Sequence, residues 1–572
     1  MLFVDTSSSV KTWLLRCVVG SFLVFVSLLG THCSQPPAGV EAIEETASSE
    51  SSASVDASST AERSTPEAPG AVEVDDAGSS DTFVREQEAQ PDTPASNSTV
   101  SFHATGKLQE VYSMLLLSDG AVAILVRADG AFKLGAQEEK PPAGRHMYLL
   151  VVNGDGSIRW SKRLLSSDNT PGGAFKMLQL GDSLAISFLG RKGTFDPDGQ
   201  KVAIPDPSQK GVEWSHFVFQ VNLQTGKAAS SFVRVFAEIT TLAGDEKRWF
   251  IGGVSQGELK ATANGKSISR APQKTESKTG FRGNAFVLEL DGFNTVQQVW
   301  MLDGPASSSV GSLIPTKDGL YVAGGLGGYG NGLDGIFDYG LPTEKTLTSL
   351  SADDDPAWDI YVARLDTSLR LKWARLTLAY HNENTRAQHM VRWGDGVAFY
   401  ASKSGYPLVI SKGESDERKE QGEGIVAYDA TGRVKGFFRV SGVRSLRESK
   451  DGLLVHGQTF RETVVGSGNL KIPAPQTLGA DPNLSMFYVL QLGQELTLKE
   501  GHVGGWMQQG KTDVSRSWSY THPISSKAIW FARTNRGAAQ IEKGGKESKT
   551  FGEDDTSNLL LVRWPLRYPI GK

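Results

Sequence analysis

Three motifs in this 572-residue chain have residue types and spacings that could support chemistry. The first, Gly253-Val-Ser255-Gln-Gly257, matches the string that exposes a nucleophilic serine on a strand-to-helix turn. The residues that follow, Glu258 to Gly265, include Asn and Gly and indicate a loop within a long connection between strands. We therefore do not expect Ser255 to act as a nucleophile, and we predict no catalytic residue in the chain.

The second motif, Gly325-Leu-Gly327-Gly-Tyr-Gly330, matches the dinucleotide fingerprint. That fingerprint works because a helix N-terminus follows it and receives the pyrophosphate. Here the chain continues as Asn331-Gly-Leu-Asp-Gly335, which favours a turn. We predict a flexible loop at this point and no cofactor.

The third motif is acidic. Asp353, Asp354, Asp355 and Asp359 could offer hard oxygen ligands to calcium, but their spacing departs from that of a calcium-binding loop. We expect solvated loop acids here, with a weak cation site as the alternative. The histidines beyond the N-terminal segment also lack ligand spacing, so we predict no metal site: they are His103, His146, His216, His381, His389, His456, His502 and His522.

The N-terminus carries an export signal. Lys11 and Arg16 precede an apolar run, Cys17–Gly30, which has signal-peptide length and is shorter than the roughly 20 residues that span a bilayer. We predict that residues 1–33 are a lipoprotein-like signal segment that is cleaved on export. The alternative, an uncleaved membrane anchor from Thr12 to Thr31, would have to bury Arg16.

The two cysteines of the chain, Cys17 and Cys33, both lie in this segment, so the rest has no disulfide, thiolate metal site or cysteine nucleophile. Cys33 follows Leu28-Leu-Gly-Thr-His32, which resembles a bacterial lipobox, although His32 departs from the small residue usual before the cysteine. We predict Cys33 as the site of lipid attachment. Cleavage after Cys33 by the ordinary signal peptidase is the alternative.

Residues 34–98 form a predicted disordered, acidic stalk rich in Ser, Ala, Glu and Pro. Residues 34–100 contain 14 Asp or Glu against only Arg63 and Arg85. Such a segment cannot bury enough apolar surface to offset its conformational entropy, so it serves as a spacer. The remaining residues carry a net charge of about +6, which is too dilute to indicate nucleic-acid binding.

From residue 99 onward the chain is predicted to be all-β. One β-rich run ending in a turn residue recurs seven times, and a second element, a turn usually containing Asp and Gly followed by an apolar run, alternates with it. The copies of the first element are Tyr148–Asn153, Phe217–Asn222, Phe286–Asp291, Tyr361–Asp366, Ile425–Asp429, Phe487–Gly493 and Leu559–Trp564. This alternation predicts a seven-bladed β-propeller of four-stranded blades over residues 99–572.

Within the fourth repeat we assign strand A to Gly311–Pro315, strand B to Leu320–Ala323, strand C to Ile360–Leu365 and strand D to a segment from Leu371. A long excursion from Gly324 to Trp358 separates strands B and C. The tryptophans Trp160, Trp300 and Trp373 are interpreted as equivalent core residues that pack between blades.

The seventh repeat lacks a good fourth strand, since Pro565 and Pro569 cannot donate to a ladder. We therefore predict that residues 99–104 pair with residues 558–563. That pairing would close the ring and remove two exposed sheet edges.

The fourth repeat resembles the bacterial β-propeller repeat of the SBBP type. The resemblance rests on Gly335-Ile-Phe-Asp-Tyr-Gly340, Thr346-Leu-Thr-Ser349, Asp359–Asp366 and Trp373, with fragments such as Gly193-Thr-Phe-Asp196 in other copies. It implies a secreted or surface-attached bacterial propeller, most often of unassigned activity.

We accordingly predict a non-enzymatic cell-envelope protein, monomeric and lipid-anchored or secreted, that acts as a scaffold binding a protein or glycan. One alternative is a quinone-dependent propeller enzyme, because Val426–Gly432 and Val221–Gly226 resemble the quinoprotein-type repeat. Those enzymes have a shorter repeat period and a tryptophan-docking pattern, and the sequence indicates neither. A third possibility is an outer-membrane assembly scaffold lipoprotein.

Overall fold

The computed structural model divides the chain into two units, residues 1–80 and 81–572, and all described residues belong to the second. The described ranges are 100–134, 137–141, 144–167, 175–190, 193–195, 202–204, 215–273, 283–292, 294–328, 333–349, 357–378, 389–402, 407–459, 462–466, 470–472, 485–508, 528–536, 539–543, 547–551 and 557–565. They contain strands and turns and no helix, hence none long and apolar enough to cross a membrane. The predicted signal segment, the stalk and Cys33 lie outside them.

The strands are numbered in chain order. The first nineteen are β1 (Val100–Leu116), β2 (Val122–Leu134), β3 (Gln137–Glu139), β4 (Arg145–Val152), β5 (Ile158–Ser167), β6 (Lys176–Leu180), β7 (Ser183–Gly190), β8 (Gly193–Phe195), β9 (Val202–Ile204), β10 (Ser215–Asn222), β11 (Ala228–Val235), β12 (Glu238–Gly244), β13 (Arg248–Ser255), β14 (Leu259–Ala263), β15 (Lys266–Arg270), β16 (Asn284–Asp291), β17 (Val296–Met301), β18 (Ser307–Thr316) and β19 (Gly319–Gly328). The remaining twenty are β20 (Leu333–Phe337), β21 (Lys345–Ser349), β22 (Ala357–Leu365), β23 (Leu371–Thr377), β24 (Met390–Trp393), β25 (Gly396–Ala401), β26 (Leu408–Ile410), β27 (Arg418–Glu420), β28 (Gly424–Tyr428), β29 (Val434–Arg439), β30 (Val443–Ser449), β31 (Gly452–Thr459), β32 (Thr463–Val465), β33 (Leu470–Ile472), β34 (Ser485–Leu492), β35 (Leu498–Gln508), β36 (Ala528–Arg536), β37 (Ala539–Lys543), β38 (Glu547–Phe551) and β39 (Ser557–Pro565).

Six antiparallel sheets repeat the same order of four strands, with each strand beside the one before it. Sheet 1 is β1-β2-β4-β5, sheet 2 is β6-β7-β10-β11, sheet 3 is β12-β13-β16-β17, sheet 4 is β18-β19-β22-β23, sheet 5 is β24-β25-β28-β29 and sheet 6 is β30-β31-β34-β35. The strand order predicted for the fourth repeat is confirmed in sheet 4. Sheet 1 is part of a nine-stranded sheet in which β39 and β36 follow on the other side of β1; β36, β39 and the first half of β1 are called the terminal sheet below.

The turn between the third and fourth strands has the same length in five of the six sheets. A residue at the end of the third strand, or just after it, accepts a backbone hydrogen bond from the residue three positions later, as from Gly432 to Asp429 at 3.0 Å, whereas in sheet 2 the donor Gly226 lies four positions after Asn222. That later residue always has a positive φ: Gly156, Gly226, Asn294, Leu369, Gly432 and Leu496. A type I turn followed by such a residue closes a three-residue hairpin. Asp366 and Asp429 also accept backbone N–H bonds through their carboxylates.

A hairpin in each connection between second and third strands covers the outer strand of the preceding sheet. β8–β9 pairs with β5, β14–β15 with β11, β37–β38 with β35, and the hairpin of Phe132–Leu134 and β3 with the first half of β1. β20–β21, β26–β27 and β32–β33 instead bond to Asp303, Leu378 and Arg439 at the ends of β17, β23 and β29. These hairpins, called latches below, cover edge strands, which promote aggregation when they are exposed. The residues of the latches account for the length of the repeat.

The motif that carries the SBBP resemblance is the latch of sheet 4. Phe337, at the end of β20, is fully buried, with its ring 6.0 Å from that of Trp300 and 5.7 Å from that of Tyr361. Asp338 follows with a φ of 51°, and its carboxylate accepts a hydrogen bond from the backbone nitrogen of Leu371 at 2.7 Å. Phe337 therefore fills the gap between sheets 3 and 4, and Asp338 holds the start of β23 in place.

Apolar side chains fill the gaps between consecutive sheets. Separate buried clusters join sheets 1 and 2, 2 and 3, 3 and 4, 4 and 5, and 5 and 6. Another cluster joins sheet 1 to Trp530 and Leu561 of the terminal sheet. The first strands β1, β6, β12, β18, β24 and β30 also contact one another in that order.

The two ends of the described chain are paired. β1 runs antiparallel to β39, from Val100 opposite Arg563 to Gly106 opposite Ser557. The sequence predicts this pairing of the two segments, but the register differs by one residue, since residues 100–105 rather than 99–104 lie opposite 558–563. The second half of β1 then serves as the first strand of sheet 1, so a single strand belongs to two sheets. The predicted first strand of the seventh repeat, near Arg516–Tyr520, lies outside the described residues.

Two predictions about the connections were wrong. Gly325–Gly328 is not a loop, because β19 extends to Gly328 and pairs with β22. A side chain at Gly324 would meet the carbonyl of Ser309, and one at Gly325 would meet the indole of Trp358, so close approach requires glycine at both positions. Ser255 likewise is the last residue of strand β13 rather than part of a loop.

Candidate functional site

The sequence motifs with catalytic strings do not form sites in the described part of the chain. The side chain of Ser255 is buried, and its hydroxyl donates a hydrogen bond to the carbonyl oxygen of Gly257 at 3.0 Å. The chain then enters the hairpin β14–β15 instead of a helix. The geometry of a nucleophile elbow is therefore missing at Ser255.

The predicted acidic loop is described only at Asp359, because Asp353–Asp355 lie outside the described residues. Asp359 is buried at the start of the third strand of sheet 4 and accepts a hydrogen bond from the Ser349 hydroxyl at 3.0 Å. This carboxylate ties the latch to the sheet. Among the described residues, no three His, Cys, Asp or Glu side chains form a group that could hold a metal ion.

The predicted equivalence of the three tryptophans was wrong for Trp300. Trp160 and Trp373 occupy the same position on the fourth strand, and each donates through Nε1 to a carbonyl in the turn of the next sheet, Leu223 and Ala430, at 2.9 Å. In sheet 3 this position belongs to Gln298, which donates to the carbonyl of Thr367 at 3.1 Å. Trp300 lies two residues later, and its Nε1 has no partner among the described atoms.

The hydrogen bonds of Trp160 and Trp373 also differ from what the sequence indicated about tryptophan docking. Tryptophan docking between sheets, which the sequence did not indicate, is present at Trp160 and Trp373. The indole of Trp373 lies over Gly432, where a Cβ atom would come within 2.6 Å of the ring. The docked tryptophans are core residues that fix one sheet against the next, which is the role inferred for them from the sequence.

A polar cluster lies where the first strands of sheets 5 and 6 begin. It comprises His389, Tyr400, Glu423, Arg444 and Tyr488, together with Lys176 of sheet 2, and is called the inner-end cluster below. Its members are far apart in the sequence. They come together because ends of β24, β25, β28, β30 and β34 meet here. His389 was noted in the sequence only as a histidine without ligand spacing, and the other five were missed.

Hydrogen bonds hold two tyrosines and the glutamate in place. The Tyr400 hydroxyl donates to a carboxylate oxygen of Glu423 and accepts from the backbone nitrogen of Gly442 at 3.1 Å. The Tyr488 hydroxyl donates to the carbonyl oxygen of Ser441. The ring of Tyr488 fits only because Gly457 faces it, since a Cβ there would overlap the phenol.

The pKa values of one histidine and two tyrosines in the cluster differ from the usual values of these residue types. Burial, and then the positive charges of Arg444 and Lys176, lowers the pKa of His389 to about 4. Burial, followed by the charge of Glu423, raises the pKa of Tyr400 and of Tyr488 well above the usual value. At neutral pH the imidazole and the two phenols of the cluster are therefore uncharged.

Arg444 is the member with unused hydrogen-bonding capacity. It occupies a bulge in β30, between the pairs Val443–Gly457 and Ser445–His456. A bulge residue is released from the ladder and can direct its side chain away from the regular alternation. The Nε atom of Arg444 is buried and finds no acceptor among the residues that the structure describes.

Lys176 is the first residue of β6, and His389 is the residue just before β24. The two residues therefore occupy equivalent positions in the first strands of sheets 2 and 5. Lys176 pairs with Ser187 of β7, and His389 immediately precedes Met390, which pairs with Phe399 of β25. Sheets 2 and 5 are not consecutive, yet the Lys176 charge acts on His389. The row of first strands therefore brings side chains of distant sheets together at one end.

The described residues thus define an all-β protein of antiparallel sheets with a polar cluster at the inner ends of its strands. No known family profile and no curated protein matches the sequence. Among solved structures, an acylaminoacyl peptidase in complex with Z-Gly-Gly-Phe-chloromethyl ketone aligns at 12% identity with a TM-score of 0.24, over 68% of this chain and 58% of that chain. The chain thus spans less than two thirds of that structure's length.

Proposed function

We propose that the protein is a cell-envelope β-propeller of seven blades that acts as a binding scaffold rather than an enzyme, with a protein or glycan as its partner. In this proposal the six sheets and the terminal sheet are the blades, and the β1–β39 pairing closes the ring. The predicted export signal and the predicted lipid attachment at Cys33 support a location at the envelope, with the predicted stalk of residues 34–98 as a spacer.

One observation carries the binding function. The inner-end cluster gathers charged and hydrogen-bonding groups from three sheets at one end of the first strands. Its tyrosines and histidine have pKa values displaced away from neutrality, whereas a general acid or base works best near the operating pH. This combination supports recognition of a polar ligand better than proton transfer.

The proposal predicts that the partner contacts the end of the sheets where the inner-end cluster lies. A photo-crosslinking residue is placed at Gln421, which is exposed two residues before Glu423. The control position is Ser368, which is also exposed, in the turn between the third and fourth strands of sheet 4. We expect a discrete cross-linked product from Gln421 in intact cells and none from Ser368.

Cross-linking of equal strength at both positions, or at neither, would contradict the proposal. The enzyme alternative is tested separately with the purified full chain. Turnover of a dye-linked substrate in the presence of added quinone and calcium would overturn the conclusion that the protein is a binding scaffold.

A further inference from the structure

We infer that the inner-end cluster is a binding site for an anionic group, a carboxylate or a phosphate, held by Arg444 with Lys176 and His389 beside it. The inference rests on the proposed scaffold function and names the chemistry of its ligand. It goes beyond that function because it assigns the recognition to particular side chains.

The main evidence for an anion-binding site is the side chain of Arg444. A buried polar atom without a partner costs free energy, so native proteins rarely retain one. The Nε atom of Arg444 is such an atom among the described residues, on a guanidinium whose planar donors match the oxygens of a carboxylate or phosphate. An anion that accepts from Nε would remove this cost.

Other polar groups of the cluster that the structure describes are already engaged in hydrogen bonds. Glu423, the carboxylate of the cluster, is held by the Tyr400 hydroxyl on β25. The Tyr488 hydroxyl is committed to the carbonyl of Ser441. Burial and then the charge of Glu423 raise the pKa of Tyr488, and the charge of Arg444 lowers it.

The charge balance also favours an anion. Arg444 and Lys176 contribute two positive charges and Glu423 one negative charge, while the imidazole of His389 is neutral at pH 7 because its pKa is low. A bound anion would place a negative charge beside Arg444. His389 would then gain a favourable neighbour, since an opposite charge nearby favours the protonated imidazole.

The test is isothermal titration calorimetry on the full chain with sodium glucuronate, inorganic phosphate and glucose as separate ligands. We expect one of the two anions to bind with a Kd on the order of 1 mM or tighter, and glucose not to bind. Binding of glucuronate alone assigns a carboxylate-bearing ligand, and binding of phosphate alone assigns a phosphate-bearing one. Absence of binding by both anions overturns the inference.

Two variants and one control localise the site. Arg444→Gln should weaken anion binding at least tenfold, and Arg444→Lys should weaken it less because the charge remains while the planar fork is lost. Arg392→Gln removes a positive charge from an exposed position on the neighbouring strand β24 and should leave binding unchanged. Equal loss in Arg392→Gln would show a nonspecific charge effect and overturn the assignment to Arg444.

A second readout does not depend on the stability of the variants. The ring-proton resonances of His389, identified by comparison with His389→Asn, should shift when the anion is added to the wild-type chain. An unchanged His389 spectrum at saturating anion would overturn the location. Partner cross-linking at Gln421 that persists in Arg444→Gln, combined with no anion binding, would leave the scaffold function standing and remove only this site.

Discussion

The indole nitrogen of Trp373 in sheet 4 donates a hydrogen bond to the carbonyl oxygen of Ala430 in sheet 5, at 2.9 Å. The ring covers Gly432, the residue with positive φ in the same turn. Arg375 adds a bond from its Nε atom to the carbonyl of Gly432 at 2.9 Å. Arg364 of sheet 4 also donates to the carbonyl of Ala430 at 2.9 Å, so three side chains of sheet 4 hold the turn of sheet 5, and this contact can be tested by substitution.

Gly432→Ala should destabilise the protein strongly. The new Cβ would lie 2.6 Å from the Trp373 ring, and alanine is also strained at a φ of 82°. We expect a loss of about 2–4 kcal/mol in the free energy of unfolding, measured by urea denaturation.

Gly413→Ala is the matched control, because Gly413 has a φ of 79° but no atom lies within 4 Å of the position that a Cβ would take there. It should cost only about 1 kcal/mol from backbone strain. The same loss in both variants would show that the docking of Trp373 contributes nothing measurable.

Deletion of residues 99–106 should destabilise the whole β-domain cooperatively. The deletion removes the segment of β1 that pairs with β39, from Val100–Arg563 to Gly106–Ser557, and so leaves β39 with an unpaired edge. Deletion of residues 34–90 should leave stability unchanged. Chemical denaturation of the two truncated proteins measures this, and the idea fails if the midpoint of the 99–106 deletion equals that of the full chain.

Acid should destabilise the protein partly through His216. This side chain is buried, its Nδ1 atom accepts a hydrogen bond from the backbone nitrogen of Ile239, and burial lowers its pKa to about 3. Because the unfolded histidine titrates near pH 6.5, the unfolded state binds more protons below that pH. The free energy of unfolding should therefore be highest above pH 6.5 and fall by roughly 1–2 kcal/mol per such histidine by pH 5.

His389, with a pKa of about 4, should contribute in the same direction. His216→Asn keeps an acceptor for the Ile239 nitrogen and removes the titrating group. Urea denaturation at pH 7 and pH 5 should thus give a smaller difference for the variant than for the wild type. An identical difference in the two proteins would contradict the assignment to His216.

Lipid attachment at Cys33 stays a prediction, since the residue lies outside the described part of the chain. Labelled palmitate should enter the wild-type protein and not Cys33→Ser, because the thiol is the attachment point. Cys17→Ser, in the apolar run, serves as the control and should be labelled normally. Equal labelling of wild type and Cys33→Ser, or none of either, would sink the idea.

Much of the repeat architecture could be read from the sequence because it is encoded locally. Alternating apolar residues and the turn residues Asp291, Asp366 and Asp429 predict strand ends that the structure confirms. The pairing of β1 with β39 could be predicted as well, because an incomplete last repeat leaves an edge that must be covered. The fold class was thus accessible as an all-β arrangement of repeated sheets.

Other features follow only from the packing of sheet against sheet. The sequence cannot distinguish the position of Trp373 from that of Trp300, because a shift of two residues along a strand preserves the face. The latches were interpreted simply as long connections, since their strands are short and their partners lie in another sheet.

The inner-end cluster is the clearest case of a feature decided by tertiary structure. Tyr400, Glu423, Arg444 and Tyr488 are scattered over four strands or their ends, and no repeat or motif links them. Composition and periodicity determine which segments form strands, because those signals depend on neighbouring residues. The meeting of these side chains depends on how the sheets stack and curve, and a cluster that occurs once leaves no periodic trace in the chain.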